Sequence, residues 1–284
     1  MAYANPDLLI EVEWLCDHLD DEDLVIVDCQ WDANAYLRAH IPNAVMRPGH
    51  PFVKKLEEDG TISAHMPDAE EFAQMKKEMG ITPDKLVVCY DEWGNHFASR
   101  LWWLLTHHGH ERVKVLNGGW QAWVSSKCQV SFTEIKPQIF ESVSVSQCDS
   151  RAVVDVKELM NNYNNPLWQV VDVRSEDEYN GKDESWGNER LGHIPGAIHL
   201  EWKEMLKDSE EEQGVKIFKN DVEMEQRLQH SGVSKDKTIV VHCQSGVRAA
   251  SMAFSLTLMG YEDVRVYDGS MEEWANMDDT PLEI

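Results

Sequence analysis

Short apolar, β-branched runs alternate along this chain with longer stretches whose apolar residues recur at helical spacing. Leu24 to Val27, Leu86 to Tyr90 and Val113 to Leu116 are apolar at consecutive positions, the pattern of strands buried on both faces. Asp68 to Met79 and Phe97 to His107 fall between them with a helical period. The same order returns later, with strands at Gln169 to Val171, Thr238 to His242 and Val264 to Tyr267 and a helix at Val247 to Met259. Strands separated by helices imply an α/β fold, each unit a parallel β-sheet flanked by α-helices.

The recurrence extends to individual residues. Asp28, Tyr36 and His40-Ile41-Pro42 return as Asp172, Tyr179 and His193-Ile194-Pro195. Cys89-Tyr90-Asp91 with Gly94, Ala98 and Ser99 returns as Val241-His242-Cys243 with Gly246, Ala250 and Ser251, and Gly118 with Trp123 returns as Gly269 with Trp274. The offset is 144 at Asp28/Asp172 and 153 at His40/His193. The second copy therefore carries nine extra residues, around Gly181 to Leu191, which form a candidate functional loop. A polar, weakly periodic stretch from Ser125 to Arg151, with Pro137, reads as the connection. The expected domains are 1–127, a linker 128–151, and 152–284.

Composition narrows the function. Lys and Arg number 26 against 51 Asp and Glu, a formal charge of −25. Such a surface excludes binding driven by nucleic-acid phosphates or anionic membranes. Residues 1–7 show no basic segment leading into an apolar core, so a cytoplasmic location is expected. The six cysteines contain no C-x-x-C pair, and most are expected to be free thiols. His107, His108 and His110 cluster at a helix end, where they meet the helix dipole, but no cysteine or acid is expected to complete a site, so no metal and no cofactor is expected.

Cys243 stands apart because it directly follows a buried strand and precedes a helix. In parallel sheets ligands bind outside the carboxyl ends of strands. A tight turn there aims backbone N–H groups at its centre, and the helix N-terminus adds partial positive charge, which together favour a thiolate. Gly246 supplies the backbone freedom of the turn, and Arg248 a permanent charge at its end.

The tandem copies, each with an Asp-bearing strand, a His-Ile-Pro segment and a Gly-x-x-x-x-Trp, plus a Cys-x-x-Gly-x-Arg loop in the second copy alone, resemble the two-domain rhodanese sulfurtransferases. The resemblance spans nearly the whole chain. It implies two tandem rhodanese-like domains and an active-site loop of Cys243, Gln244, Ser245, Gly246, Val247 and Arg248. It further implies that Cys243 takes a sulfane sulfur from a small anionic donor, thiosulfate or 3-mercaptopyruvate. The sulfur would be held as a persulfide and passed to a thiol such as thioredoxin or glutathione, or to cyanide. Asp91 replaces the cysteine in the first copy, which is therefore expected to be catalytically inactive.

Two rival classes remain in view. A cysteine phosphatase or arsenate reductase also carries a Cys-to-Arg loop, but with five residues between the two, where four intervene here. A non-catalytic rhodanese-like interaction module fits the first copy but not Cys243. Between donors, Ser245 and Gly246 are similar to the loop of mercaptopyruvate-preferring members, while Gln244 departs from it and Arg248 stands where the resemblance implies a threonine. The substrate-binding arginine that the resemblance implies falls near Glu178, an acid. Lys182 and Arg190, both in the insertion, are the nearest replacements and are expected to hold the donor's anionic end with Arg248. His40 lies where the mercaptopyruvate enzymes are similar in using a first-domain His, yet its recurrence as His193 favours a structural role. Trp102, Trp103, Trp120, Trp123 and Trp274 are expected to be packing residues.

Overall fold

Each copy builds a five-stranded sheet from apolar runs that lie buried in its centre. A computed structural model describes residues 2–47, 53–55, 57, 59–137, 148–210 and 213–284. The first copy runs β1 (Leu9–Ile10), α1 (Val12–His18), β2 (Leu24–Asp28), α2 (Ala33–Arg38), β3 (Val45–Met46), α3 (Ala69–Glu78), β4 (Leu86–Tyr90), α4 (His96–His107), β5 (Val113–Leu116) and α5 (Gly119–Ser125). The second runs β6 (Val153–Val154), α6 (Val156–Asn162), β7 (Trp168–Asp172), α7 (Glu176–Tyr179), β8 (Ile198–His199), β9 (Leu206–Asp208), β10 (Lys216–Phe218), α8 (Asp221–Ser231), β11 (Thr238–His242), α9 (Val247–Leu258), β12 (Val264–Tyr267) and α10 (Ser270–Trp274).

The two sheets have the same order, β1-β5-β4-β2-β3 and β6-β12-β11-β7-β8, and all their pairings are parallel. The chain leaves β7 towards β8 on one side and β11 towards β12 on the other. The carboxyl ends of β7 and β11 therefore meet at the switch point where such sheets bind ligands. Register sets His242 opposite Asp172 there, and Tyr90 opposite Asp28 in the first copy.

Helix starts follow local chemistry. Asp68 with Glu71, Ser175 with Glu178, and Asn220 with Glu223 form capping boxes at α3, α7 and α8. By contrast, α4 and α9 have no side-chain cap and open directly from the loops after β4 and β11. Both are buried over most of their length, as apolar character on every face requires. The two cores repeat one another: Ile26, Val88 and Trp123 in one, Val170, Val240 and Trp274 in the other. The indole N–H groups of Trp123 and Trp274 donate to the carbonyls of Gln129 and Pro281, at 2.9 and 2.8 Å, so these tryptophans are core residues.

The compact units exchange short segments of chain. Lys207–Phe218, from the second copy, belongs to the first unit, where the Phe218 N–H donates to Asn117 Oδ1 at 3.0 Å. Residues 2–5 belong to the second unit, the Asn5 N–H donating to the Leu258 carbonyl at 3.1 Å. Among the described residues, no helix is long and apolar enough to cross a membrane.

Candidate active site

Cys243 follows β11 at the switch point and is buried, with 1% exposure. Its N–H donates to Ser270 Oγ at 3.1 Å, and that hydroxyl donates to the Tyr267 carbonyl at 2.8 Å. The carbonyls of Cys243 and Gln244 accept from the N–H groups of Met271 and Glu272 at the start of α10. The loop is thus fixed from its own backbone. Ser270 holds φ at 52°, a conformation costing a non-glycine residue roughly 1–2 kcal/mol. Gly119 occupies the matching place in the first copy at φ 53°. The strain at Ser270 accompanies a hydroxyl that glycine lacks, and that hydroxyl reaches Cys243. Sequence reading missed this residue, although the repeat does show a serine where the first copy has glycine.

The first copy reveals what such a loop binds. Asp91 stands in the cysteine's place, and its carboxylate accepts four backbone N–H groups. Trp93 and Asn95 donate to Oδ1 at 2.7 and 2.9 Å, while Phe97 and Ala98 donate to Oδ2 at 2.8 and 2.9 Å. Asp91 is itself buried, so the loop satisfies an anion almost entirely with main-chain donors. The two loops have equal length from Asp91 to Ala98 and from Cys243 to Ala250, with Gly94 and Gly246 at φ 80° and 78°. Their backbones part at Asn95, which is left-handed, whereas the matching Val247 already begins α9.

Arg248 does not point at open solvent. Its Nη1 and Nη2 donate to Glu178 Oε2 and Oε1 at 2.7 and 2.8 Å, a bidentate pair with Glu178 buried. Burial opposes the Arg248 charge, but the Glu178 hydrogen bonds and the facing Cys243 hold its pKa above the usual range. Burial likewise raises the Glu178 carboxyl, yet Arg248 and the Ser175 N–H and hydroxyl bring it below its usual value. The acid that stands near the expected arginine position thus pairs with the arginine that replaces the loop threonine.

The insertion folds over the same loop. Asn188 and Gln244 exchange amide hydrogen bonds at 3.0 and 2.8 Å, and the half-exposed Trp186 ring lies 5.5 Å from the Arg248 guanidinium. Arg190 anchors the insertion from behind, donating to the carbonyls of Trp274, Ala275, Met277 and Thr280 and to the Thr280 hydroxyl. Lys182 is exposed, with its ammonium 3.9 Å from Asp177. Of the two expected donor-binding residues, one is a strut within the fold and the other a surface cation.

Beneath the loop, Arg174 forks onto Asp172 at 2.7 to 3.1 Å and donates to the Gly192 carbonyl at 2.8 Å. His242 is fully buried beside them, and desolvation lowers its pKa to about 4 despite the nearby Asp172. The first copy replaces this with Asp28, Gln30 and Tyr90: Tyr90 Oη donates to Asp28 Oδ2 at 2.6 Å, and Gln30 Nε2 donates to the same oxygen at 2.8 Å. Burial there pushes the Asp28 carboxyl up to about 6, against those hydrogen bonds. His40 and His193 are equivalent structural residues, each stacked on a tyrosine (Tyr36, Tyr179) and bonded through Nδ1 to its carbonyl.

The histidine cluster requires a correction. Cys148, distant in sequence, brings its Sγ to 3.2 Å from His108 Nδ1, and with His107 makes a three-residue group. Burial lowers the His108 pKa to about 3, aided by His107 and by the buried Lys76, whose ammonium also bears on Cys148. A positive charge already occupies that neighbourhood, which disfavours a cation there.

The rhodanese-like domain model matches residues 11–126 and 155–277, and the chain belongs to the rhodanese family, as a tandem sulfurtransferase. Among similar proteins is the 3-mercaptopyruvate sulfurtransferase of Escherichia coli K12, 32% identical, with 96% of this chain and 97% of that protein covered. The thiosulfate sulfurtransferase of Corynebacterium glutamicum is 31% identical over 99% of this chain and 92% of its own length. The sulfur carrier protein TtuD of Thermus thermophilus is 30% identical over 99% and 98%. Among solved structures, the anaerobic ergothioneine biosynthesis enzyme of Chlorobium limicola with trimethyl histidine aligns with a TM-score of 0.85 at 26% identity, covering 99% of this chain and 71% of that one.

Proposed function

We propose that this protein moves a sulfane sulfur from 3-mercaptopyruvate or thiosulfate, through a persulfide on Cys243, to a thiol or cyanide acceptor. The observation that carries this reading is the carboxylate of Asp91 seated on four main-chain N–H groups in the matching loop. A carboxylate oxygen sits one bond beyond Cγ, where the outer sulfur of a persulfide sits one bond beyond Sγ. The first copy thus carries a permanent oxygen analogue of a charged intermediate that the second forms transiently. Main-chain donors preorganised around such an anion are worth on the order of 3 kcal/mol each.

The chemistry is a pair of displacements at sulfur. The Cys243 thiolate attacks the sulfane sulfur of thiosulfate, and sulfite leaves with the S–S electron pair. With 3-mercaptopyruvate it attacks the thiol sulfur, the C–S bond breaks, and the departing enolate takes a proton to become pyruvate. An acceptor thiolate then attacks the outer sulfur and releases Cys243 as thiolate.

Donor choice follows from Arg248. Because Glu178 neutralises it, the site offers a dianion little net charge, which favours the monoanionic 3-mercaptopyruvate over thiosulfate. The same pairing argues against a phosphatase, whose loop arginine must face its substrate. Lys182, exposed beside Asp177, is the insertion's cation that acts on the donor's anionic end from the surface, with Arg190 setting the insertion's position.

Thiocyanate formation from each donor with cyanide tests the proposal. Turnover with 3-mercaptopyruvate exceeding that with thiosulfate is expected. No thiocyanate from either donor, with hydrolysis of an aryl phosphate instead, would overturn it in favour of a phosphatase; silence in both assays would favour a non-catalytic module.

A further inference from the structure

A second pair of cysteines lies outside the candidate site. In the first unit, Cys16 on α1 and Cys128, just beyond α5, hold their sulfurs 2.8 Å apart. That is well inside the contact distance of two non-bonded sulfurs, although both are free thiols. The placement is built into the fold. Both side chains pack against the core cluster of Ile10, Leu15, Tyr90 and Trp123. Lys127 turns the chain through φ 57° just before Cys128, a conformation unusual for a residue with a side chain. Neither sulfur is sealed in, since both residues are partly exposed, whereas Cys29 and Cys89 are buried.

We propose that Cys16 and Cys128 are a dithiol–disulfide site, closed by low-molecular-weight disulfides and reopened by thiols. One cysteine thiolate attacks a sulfur of the small disulfide, whose S–S bond breaks and releases one small thiol. The other cysteine then attacks the mixed disulfide and expels the second small thiol. The cysteine pair loses two electrons, the small disulfide gains them, and the two cysteine protons end on the two released thiols. Closure ties α1 to the chain beyond α5, 112 residues later, and so restricts the unfolded chain of the whole first copy. Burial, the Cys128 sulfur and the nearby Asp17 and Glu13 push the Cys16 thiol up to about 12, so closure is slow near neutral pH and calls for incubation over hours.

Oxidised glutathione is the probe, with the full chain as substrate. Intact mass should fall by two hydrogens, non-reducing peptide mapping should join the peptides of Cys16 and Cys128, and the thermal midpoint should rise and return on adding dithiothreitol. Cys16→Ser and Cys128→Ser, each made separately, should abolish the mass loss, the remaining partner carrying at most one glutathione. The proposal is overturned if the wild type keeps all its thiols, accumulates glutathione adducts without closing, or joins another pair. Mass loss that persists in either variant overturns it equally.

Discussion

Glu178 and Arg248 face each other through two hydrogen bonds of 2.7 and 2.8 Å, joining α7 to the first turn of α9 across 70 residues. The pair sets the charge presented beside Cys243. Its two halves sit where the family resemblance led to an arginine and a threonine, so they are one substitution in physical terms.

Replacing Glu178 by Gln leaves Arg248 charged and only partly satisfied. Removing one partner of a buried pair costs about 3 kcal/mol. The freed guanidinium favours a dianion, so the KM for thiosulfate should fall relative to that for 3-mercaptopyruvate. Because the folded Glu178 carboxyl lies below its unfolded value, its contribution is full above about pH 4.3 and is lost as pH falls through the folded pKa. The stability gap between wild type and Glu178→Gln, measured by denaturant unfolding, should therefore close in acid. An equal KM ratio in both proteins would contradict the role assigned to the pair.

The sites around His242 and Asp28 should respond to pH with opposite signs. His242 titrates near 4 in the fold and near 6.5 unfolded, so the unfolded chain takes its proton first and stability falls as pH drops from about 6.5 to 4. Asp28 holds its proton up to about 6 in the fold but only to about 3.8 unfolded, so stability falls as pH rises across that window. Each effect is worth on the order of 3 kcal/mol in full. Hydrogen exchange resolved by peptide at pH 7 and 5 should show the β7 and β11 peptides loosening and the β2 and β4 peptides tightening on acidification, while the end of α4 at His108, whose pKa burial also lowers, loosens like the former. His242→Asn should remove the first trend and Asp28→Asn the second.

Asp91→Ala strips the acceptor from four main-chain N–H groups in a buried loop. Each unsatisfied donor costs about 1–3 kcal/mol, and water entering the gap recovers part of that. A loss of several kcal/mol, read from thermal unfolding, is expected. Cys243 keeps its own loop, so sulfur transfer at permissive temperature should persist.

Much of this was legible because the chain says it twice. The apolar runs at Leu86 to Tyr90 and Thr238 to His242 are long enough to read as buried strands, and the repeat confirms them. The edge strands Leu9–Ile10 and Ile198–His199 have two residues each, too few for any period to register. At the site, Cys243 and its loop could be named from position alone. Its partners could not: Glu178 meets Arg248, and Asn188 meets Gln244, across 70 and 56 residues, and no local pattern encodes a contact at that range. Cys148 reaches His108 in the same way, which is why the histidine cluster looked incomplete.

Lys182 and Arg190 separate by which parameter moves. Arg190→Ala removes the hydrogen bonds holding the insertion to residues 274–280, so unfolding should become easier by a few kcal/mol, at about 1 kcal/mol per bond. Lys182→Ala should leave stability unchanged and raise donor KM a few-fold at low salt, with the difference fading as salt screens it. Unaltered KM at low salt would remove Lys182 from donor binding.

In the proposed reaction, sulfur rests on Cys243 between donor and acceptor. The direct measurement is the intact mass and peptide map of the protein after incubation with 3-mercaptopyruvate and no acceptor. One added sulfur on the Cys243 peptide, discharged by cyanide as thiocyanate and absent from Cys243→Ser, is the predicted result. No added sulfur from either donor, or sulfur that persists on another cysteine in Cys243→Ser with turnover intact, would contradict it.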